Sequence, residues 1–379
     1  MKKHHSNRSM FSGKLGFVLS AAGASVGLGN IWRFPYLAAK YGGGIFLLIY
    51  ILLALTFGYT MIVAETSLGR MTRKSPVGAY ASFTKSHTLK AGGWINAIIP
   101  ILIVPYYSVI GGWVIKYLFE YICGNGTKLA EDGYFSMFIS DGVSAEICFI
   151  VFALITLTII FAGVRNGIER VSKFMMPILV VLSVIIAIYS VTRPGALKGI
   201  QYFLVPNLEN FSWMTVVSAM GQMFYSLSIA MGILVTFGSY MKKETSIEDS
   251  TRNVEIFDTA IAIMAGLMII PAVFAFSSGD PNTLQAGPSL MFITIPKVFA
   301  SMGLGTVVGI LFFVLVLFAA VTSSIALTES AVSTFEDELH WNRKKSTVVI
   351  GIIMLVLGTL SSLGYGPLDA VKILGMQFL

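Results

Sequence analysis

An apolar segment near the start of this chain cannot continue as an ordinary helix, and that limits what the chain can become. The run Ser20-Ala21-Ala22-Gly23-Ala24-Ser25-Val26-Gly27-Leu28-Gly29-Asn30-Ile31-Trp32-Arg33-Phe34-Pro35 sets three glycines, an amide, a cation and a proline inside one stretch of spanning length. Glycine and proline weaken the helical ladder and free backbone carbonyls. At membrane depth such backbone survives only against protein or around a cavity. Discontinuous helices of this kind surround ion and solute sites near the bilayer midplane.

Composition agrees with a membrane reading: 55% of residues are hydrophobic, 12% are charged and mean hydropathy is +0.79. That balance excludes an ordinary soluble domain. Apolar runs long enough to cross roughly 30 Å of hydrocarbon lie near 15–37, 44–64, 95–119, 144–163, 174–192, 213–238, 256–276, 304–327 and 347–364, nine spans in all. A net charge of +7 could suggest a polyanion partner, but the basic residues are placed otherwise. With the N-terminus inside, alternate loops collect Lys2, Lys3, Arg8 and Lys14; Arg70, Arg73, Lys74, Lys85 and Lys90; Arg165, Arg170 and Lys173; Lys242, Lys243 and Arg252; and Arg343, Lys344 and Lys345. These are 18 of the 26 Lys and Arg, all on one side. That bias orients the chain with its N-terminus in the cytoplasm of a cell bounded by this plasma membrane. The charge sets topology, and no nucleic-acid partner is expected.

Basic residues followed by Leu15–Ala24 also have the form of a secretory signal. The run, however, continues through Asn30 and Arg33 into a second apolar segment, so it reads as part of the fold. Cys123 and Cys148 are too few for a disulfide framework. A second interrupted span lies at Gly221-Gln222-Met223-Phe224-Tyr225-Ser226-Leu227-Ser228-Ile229-Ala230-Met231-Gly232. Its polar residues alone could be helix-packing groups. The two broken spans sit five helices apart, so one runs outward and the other inward, the pattern of inverted repeats with a site between them.

At Gly27-Leu28-Gly29-Asn30-Ile31-Trp32-Arg33-Phe34-Pro35-Tyr36, Tyr41-Gly42-Gly43-Gly44, Gly221–Ser228, Thr322-Ser323-Ser324-Ile325-Ala326 and Phe335-Glu336-Asp337-Glu338-Leu339 the chain resembles the neurotransmitter:sodium symporters, specifically their short bacterial amino-acid transporters. The resemblance implies an all-α integral membrane fold: a cytoplasmic tail at 1–14, a first five-helix repeat at 15–192, an extracellular connector at 193–212 and a second, inverted repeat at 213–379, with helices 1 and 6 broken. The chain departs from the family beyond Gly364, where too few residues remain for a tenth helix to cross. The second repeat therefore reads as incomplete, without the acidic partner that the tenth helix gives the outer gate in the family.

The resemblance also implies two sodium sites, which need oxygen ligands. The first would take Ser25, Asn30, Ser226 and Asp258; the second, the carbonyls of Gly23 and Val26 with Ala319, Thr322 and Ser323. Asp258 is costly in hydrocarbon unless it faces a partner or cavity; the alternative is a solvated residue at the cytoplasmic end of its helix. Chloride-dependent animal relatives carry a neutral amide here and a serine one turn later, where this chain has Ala262. A fixed negative charge implies that chloride is not needed.

For the substrate, the family implies a free amino acid whose carboxylate meets the N–H groups of Leu28 and Gly29, the first sodium and Tyr107. Its amino group would meet oxygens around Ala24, Tyr225, Ser226 and Ser323. Ile103, Tyr225, Ser228, Met231 and Leu327 would line a pocket for a hydrophobic or aromatic side chain. Arg33 with Gln222 and Tyr225 would close the outer gate, and Arg8 with Asp337, beside Phe11, the inner one. A channel lacks a filter repeat here, a sensor lacks a soluble output domain, and an enzyme of dinucleotide type lacks the third glycine after Gly27-Leu28-Gly29. The remaining alternative is a truncated fragment, or a sensor, that binds sodium and amino acid without completing a cycle.

Overall fold

The computed structural model of the chain describes residues 9–83, 87–277 and 287–365. Among these the secondary structure is helical, with α1 (Lys14–Ser25), α2 (Phe34–Lys40), α3 (Gly44–Leu53), α4 (Tyr59–Thr72), α5 (Pro76–Ala81), α6 (His87–Ile122), α7 (Gly126–Leu129), α8 (Tyr134–Ser140) and α9 (Gly142–Phe161) in the first part. There follow α10 (Arg170–Val191), α11 (Ala196–Leu204), α12 (Trp213–Ser226), α13 (Ile233–Ser239), α14 (Ile247–Phe276), α15 (Ile295–Ala300), α16 (Gly305–Glu338) and α17 (Arg343–Tyr365). Among the described residues, seven continuous segments are long and apolar enough to cross a membrane: Gly44–Thr72, Lys90–Ile122, Gly142–Phe161, Val164–Val191, Ile247–Phe276, Gly305–Glu338 and Arg343–Gly364. We term the end of the bundle where α1 begins the lower face and the opposite end the upper face.

Among the described residues one further span is broken, and a second broken pair of helices lies in the other segment that the sequence marks as interrupted. The first, Lys14–Ser25 with Gly29–Lys40, bends by 54°. Its break falls at Val26-Gly27-Leu28; Arg33 and Pro35, which the sequence suggested would weaken the ladder, stay helical. A π-helical turn over Gly29–Arg33 runs directly into α2, so Pro35 lies inside a continuous helical run, and the wider turn before it is where the ladder adjusts to the missing N–H. The second broken pair is α12 and α13, separated by residues 227–232. Here Ser228, Ala230 and Gly232 take φ of 55°, 61° and 70°. That is left-handed backbone, strained for the two residues that are not glycine.

The core is built around three helices. In α16, 72% of the most apolar window is buried, and in α6 and α14 61%, against 39% in the other continuous spans. These central helices, with the two breaks, carry the candidate site. The spans of the two halves meet closely where α4 crosses α13: a Cβ on Gly69 would fall 1.9 Å from the Val235 carbonyl oxygen, and one on Gly238 2.3 Å from that of Thr66. Only glycine allows the two backbones to pack so tightly. The connector at 193–212 is not a simple loop, since it holds α11. Arg8 and residues 366–379, which carry the expectations of an inner-gate arginine and a shortened tenth helix, lie outside the described residues.

Candidate functional site

Asp258, on α14, is fully buried, which removes the reading of a solvated residue at a helix end. Side chains from three other elements converge on it. Oδ1 accepts from Asn30 Nδ2 at 2.8 Å; Oδ2 accepts from Ser226 Oγ at 2.7 Å and from Tyr50 Oη at 3.3 Å. Asn30 in turn accepts from the Gly27 N–H at 3.3 Å, tying the carboxylate to the break in the first span. Ser25 is buried beside them, but its hydroxyl donates back to the Ala21 carbonyl at 3.1 Å.

On the other side of the same break, Ser323 Oγ of α16 lies 3.2 Å from the carbonyl oxygens of Gly23 and Ala24 and 3.3 Å from that of Val26. One hydroxyl carries one proton, so it serves one of these acceptors at a time. Three carbonyls gathered around one donor are a surplus of negative oxygen of the kind a hard cation requires. Thr322, one residue earlier, donates to Phe318 and Ala319 of its own helix at 2.9 and 3.2 Å. Of the residues expected at a second cation site, Gly23, Val26 and Ser323 meet directly, with Ala319 joined to them through Thr322.

Between the two clusters is a cavity lined by Ala24, Ser25, Gly27, Leu28, Gly29, Asn30, Ile103, Tyr107, Tyr225, Ser228, Met231, Ile233, Ser323 and Leu327. Apart from Ser226, every expected substrate-contacting residue lines it. Tyr107 Oη accepts from the Leu28 N–H at 3.2 Å, and Ser228 Oγ donates to the Ala24 carbonyl at 3.3 Å. Free space inside is about 30 Å³, room for one or two waters, so the walls are closed on one another.

Above the cavity, Arg33 Nη1 donates to Gln222 Oε1 at 2.7 Å, Gln222 Nε2 donates to the Gly29 carbonyl at 3.1 Å, and the Arg33 guanidinium sits 5.3 Å from the centre of the Tyr225 ring. Below it, Asp337 Oδ2 accepts from the Ser75 N–H at 2.5 Å. Phe11 is buried edge-on against Phe17, Phe237 and Tyr240.

Sequence reasoning overlooked three groups. Tyr50 looked like one more aromatic in the apolar run of α3, and nothing local announced that its hydroxyl reaches Asp258. Ile233, at the start of α13, lines the cavity without having been singled out in the sequence. Glu65, on α4, accepts from the Ala230 N–H at 2.8 Å and so holds the break between α12 and α13. A carboxylate at membrane depth was the signal available there.

A family model described as the sodium:neurotransmitter symporter family matches residues 8–127 and 136–374. The chain belongs to the sodium:neurotransmitter symporter family. It is 35% identical over 371 residues to a Bacillus subtilis (strain 168) protein described as the uncharacterized sodium-dependent transporter YhdH, covering 97% of this chain and 81% of that one. It is 27% identical over 414 residues to the human sodium- and chloride-dependent GABA transporter 2, covering 93% and 68%. Its fold is similar to the crystal structure of MhsT in complex with L-phenylalanine, with a TM-score of 0.86 and 37% identity over 96% of this chain and 82% of that one. As a member of this family it is a multi-pass membrane transporter that uses sodium and a small-molecule substrate, and it is not an enzyme.

Proposed function

We propose that this transporter carries a hydrophobic or aromatic amino acid into the cell together with sodium, by alternating access and without a need for chloride. The observation that carries the reading is the pairing of two oxygen clusters on either side of one cavity at the first helix break. Asp258 with Asn30, Ser226 and Ser25 would hold the first sodium; Gly23, Val26, Ala319, Thr322 and Ser323 would hold the second. The N–H groups of Leu28 and Gly29 at the helix break suit a carboxylate, with Tyr107 Oη, which accepts from the Leu28 N–H, beside it, and the carbonyls around Ala24, Tyr225, Ser226 and Ser323 suit an ammonium group.

The side-chain pocket is apolar at Ile103, Met231 and Leu327, which supports a hydrophobic substrate, and MhsT is described in complex with L-phenylalanine. The flexible Met231 thioether in the lining lets the pocket adapt to the side chain it receives. The carboxylate of Asp258 supplies the fixed negative charge that would make chloride unnecessary. Arg33 with Gln222 and Tyr225 would close the outer mouth, and Asp337 with Arg8 the inner one. The two halves at 15–192 and 213–379 would rock about the site, with the N-terminus inside on the strength of the basic loops. Each sodium entering down the membrane potential contributes about 2.3 kcal/mol per 100 mV.

The test is binding of labelled leucine, phenylalanine and tyrosine to the purified protein in sodium, in potassium, and in sodium gluconate without chloride. Saturable binding in both sodium salts and none in potassium is expected. Binding equal in sodium and potassium would remove the proposal, and binding lost in gluconate would remove its chloride clause.

A further inference from the structure

The root of α1 is fastened to α10 by a group of contacts that the site does not use. Glu169, at the end of the π-helical turn before α10, is only 2% exposed. Its Oε2 accepts from the Ser12 N–H at 2.8 Å, and its Oε1 accepts a short hydrogen bond from Ser12 Oγ. Lys173, one turn along α10, donates to Glu169 Oε1 at 2.5 Å and to Ser12 Oγ at 3.0 Å. Lys242, beyond α13, donates to the Ser12 carbonyl at 2.7 Å. Every polar atom of Ser12 is therefore taken. The first turn of α1 lies directly on the carboxylate, since a Cβ on Gly16 would fall 2.3 Å from Glu169 Oε1.

We propose that Ser12, Glu169 and Lys173 form a latch holding the root of α1 against α10, and that its release governs how often the second sodium site opens at the lower face. The proposal rests on the symporter reading. Gly23 and Val26, whose carbonyls would hold that sodium, lie on the same helix and its break, with Gly23 about 10 Å of helical rise beyond Gly16. A root that swings away from α10 takes those carbonyls with it.

The chemistry makes the latch reversible. When Ser12 leaves, Glu169 keeps Lys173 as its partner one turn away, so no unpaired charge is stranded. Water then replaces the serine. A buried carboxylate with no second partner would lock shut, because separating it would leave an uncompensated charge. The aromatic packing of Phe11 has no such replacement partner, and it resists separation without directing it. Ser12, Glu169 and Lys173 are thus positioning residues; none of them touches ion or substrate.

The experiment reads access to α1 directly. Ser20, buried on α1, is changed to cysteine in a chain carrying Cys123→Ser and Cys148→Ser. Its modification by a membrane-impermeant thiol reagent is then timed at the lower face, in sodium and in potassium. Ser12→Ala and Glu169→Gln are each compared with this parent, and Glu169→Asp tests partial rescue. The latch predicts labelling about tenfold faster in Ser12→Ala and Glu169→Gln and an intermediate rate in Glu169→Asp. Rates equal to the parent in Ser12→Ala would overturn the latch even if Glu169→Gln failed to fold. A cysteine placed instead at buried Ser346 on α17 and labelled faster by the same factor in Ser12→Ala would also overturn it, as general loosening. A parent whose labelling ignores sodium would count against the symporter reading instead, while the ratio of variant to parent would still judge the latch.

Discussion

Asn30 Nδ2 donates to Asp258 Oδ1 at 2.8 Å, joining the first helix break to the carboxylate of α14 that we propose for the first sodium site. The amide and the acid come from residues 228 positions apart, and the bond exists only because α14 packs against the break. It orients the carboxylate with one oxygen toward Asn30 and the other toward Ser226 and Tyr50.

Replacing that acid by its amide isostere tests the charge without changing the shape. Asp258→Asn is expected to weaken sodium binding at least tenfold, a difference of about 1.4 kcal/mol. The check is the sodium concentration giving half-maximal amino-acid binding. An unchanged value would mean that the carboxylate does not face the ion.

Ser323→Ala leaves the Gly23, Ala24 and Val26 carbonyls converging with no hydroxyl among them. Sodium binding is expected to weaken about tenfold, with the fold intact, since the alanine fills all but one atom of the space. The sodium dependence of substrate binding, fitted for its steepness as well as its midpoint, separates this site from that of Asp258.

Ala230 is a non-glycine residue at φ 61°, a conformation that costs about 1–2 kcal/mol beyond glycine. Ala230→Gly should therefore stabilise the purified protein by about 1 kcal/mol, less the extra freedom glycine gives the unfolded chain. Glu65→Ala should do the reverse by about 1–3 kcal/mol, because it leaves the Ala230 N–H without its acceptor. Melting temperatures in detergent decide both.

Gln222 accepts from Arg33 and donates to the Gly29 carbonyl. Gln222→Ala removes both links across the upper mouth and is expected to speed release of bound amino acid about tenfold with little change in sodium affinity. The measurement is the off-rate of labelled substrate after dilution.

The spans and both breaks were legible because hydrocarbon leaves a chain so few options: an apolar run interrupted by Gly23, Gly27 and Gly29 has no other stable use at membrane depth. The placement of the breaks was only partly legible. Pro35 reads as a breaker, yet the π-helical turn at Gly29–Arg33 before it keeps the run helical, and that turn leaves no periodic signal. At the candidate site the structure brings together residues the sequence put forward: Asn30, Ser226 and Ser323 within motifs, and Asp258 as a carboxylate in an apolar run. Tyr50 and Glu65 were not, because each acts through a single long-range hydrogen bond to a residue far along the chain. The left-handed backbone at Ala230 was equally hidden, since alanine gives no sign of it. Ser12 and Glu169, 157 positions apart, belong to the same class.

The central claim is sodium-driven movement of an amino acid, and uptake into proteoliposomes tests it most directly. Labelled leucine, phenylalanine and tyrosine are offered outside vesicles holding the purified chain, with an inward sodium gradient or with sodium equal on both sides. The account predicts accumulation above the outside concentration with the gradient, equilibration without it, and neither in vesicles holding Asp258→Asn. Uptake of the same extent with and without the gradient would contradict it.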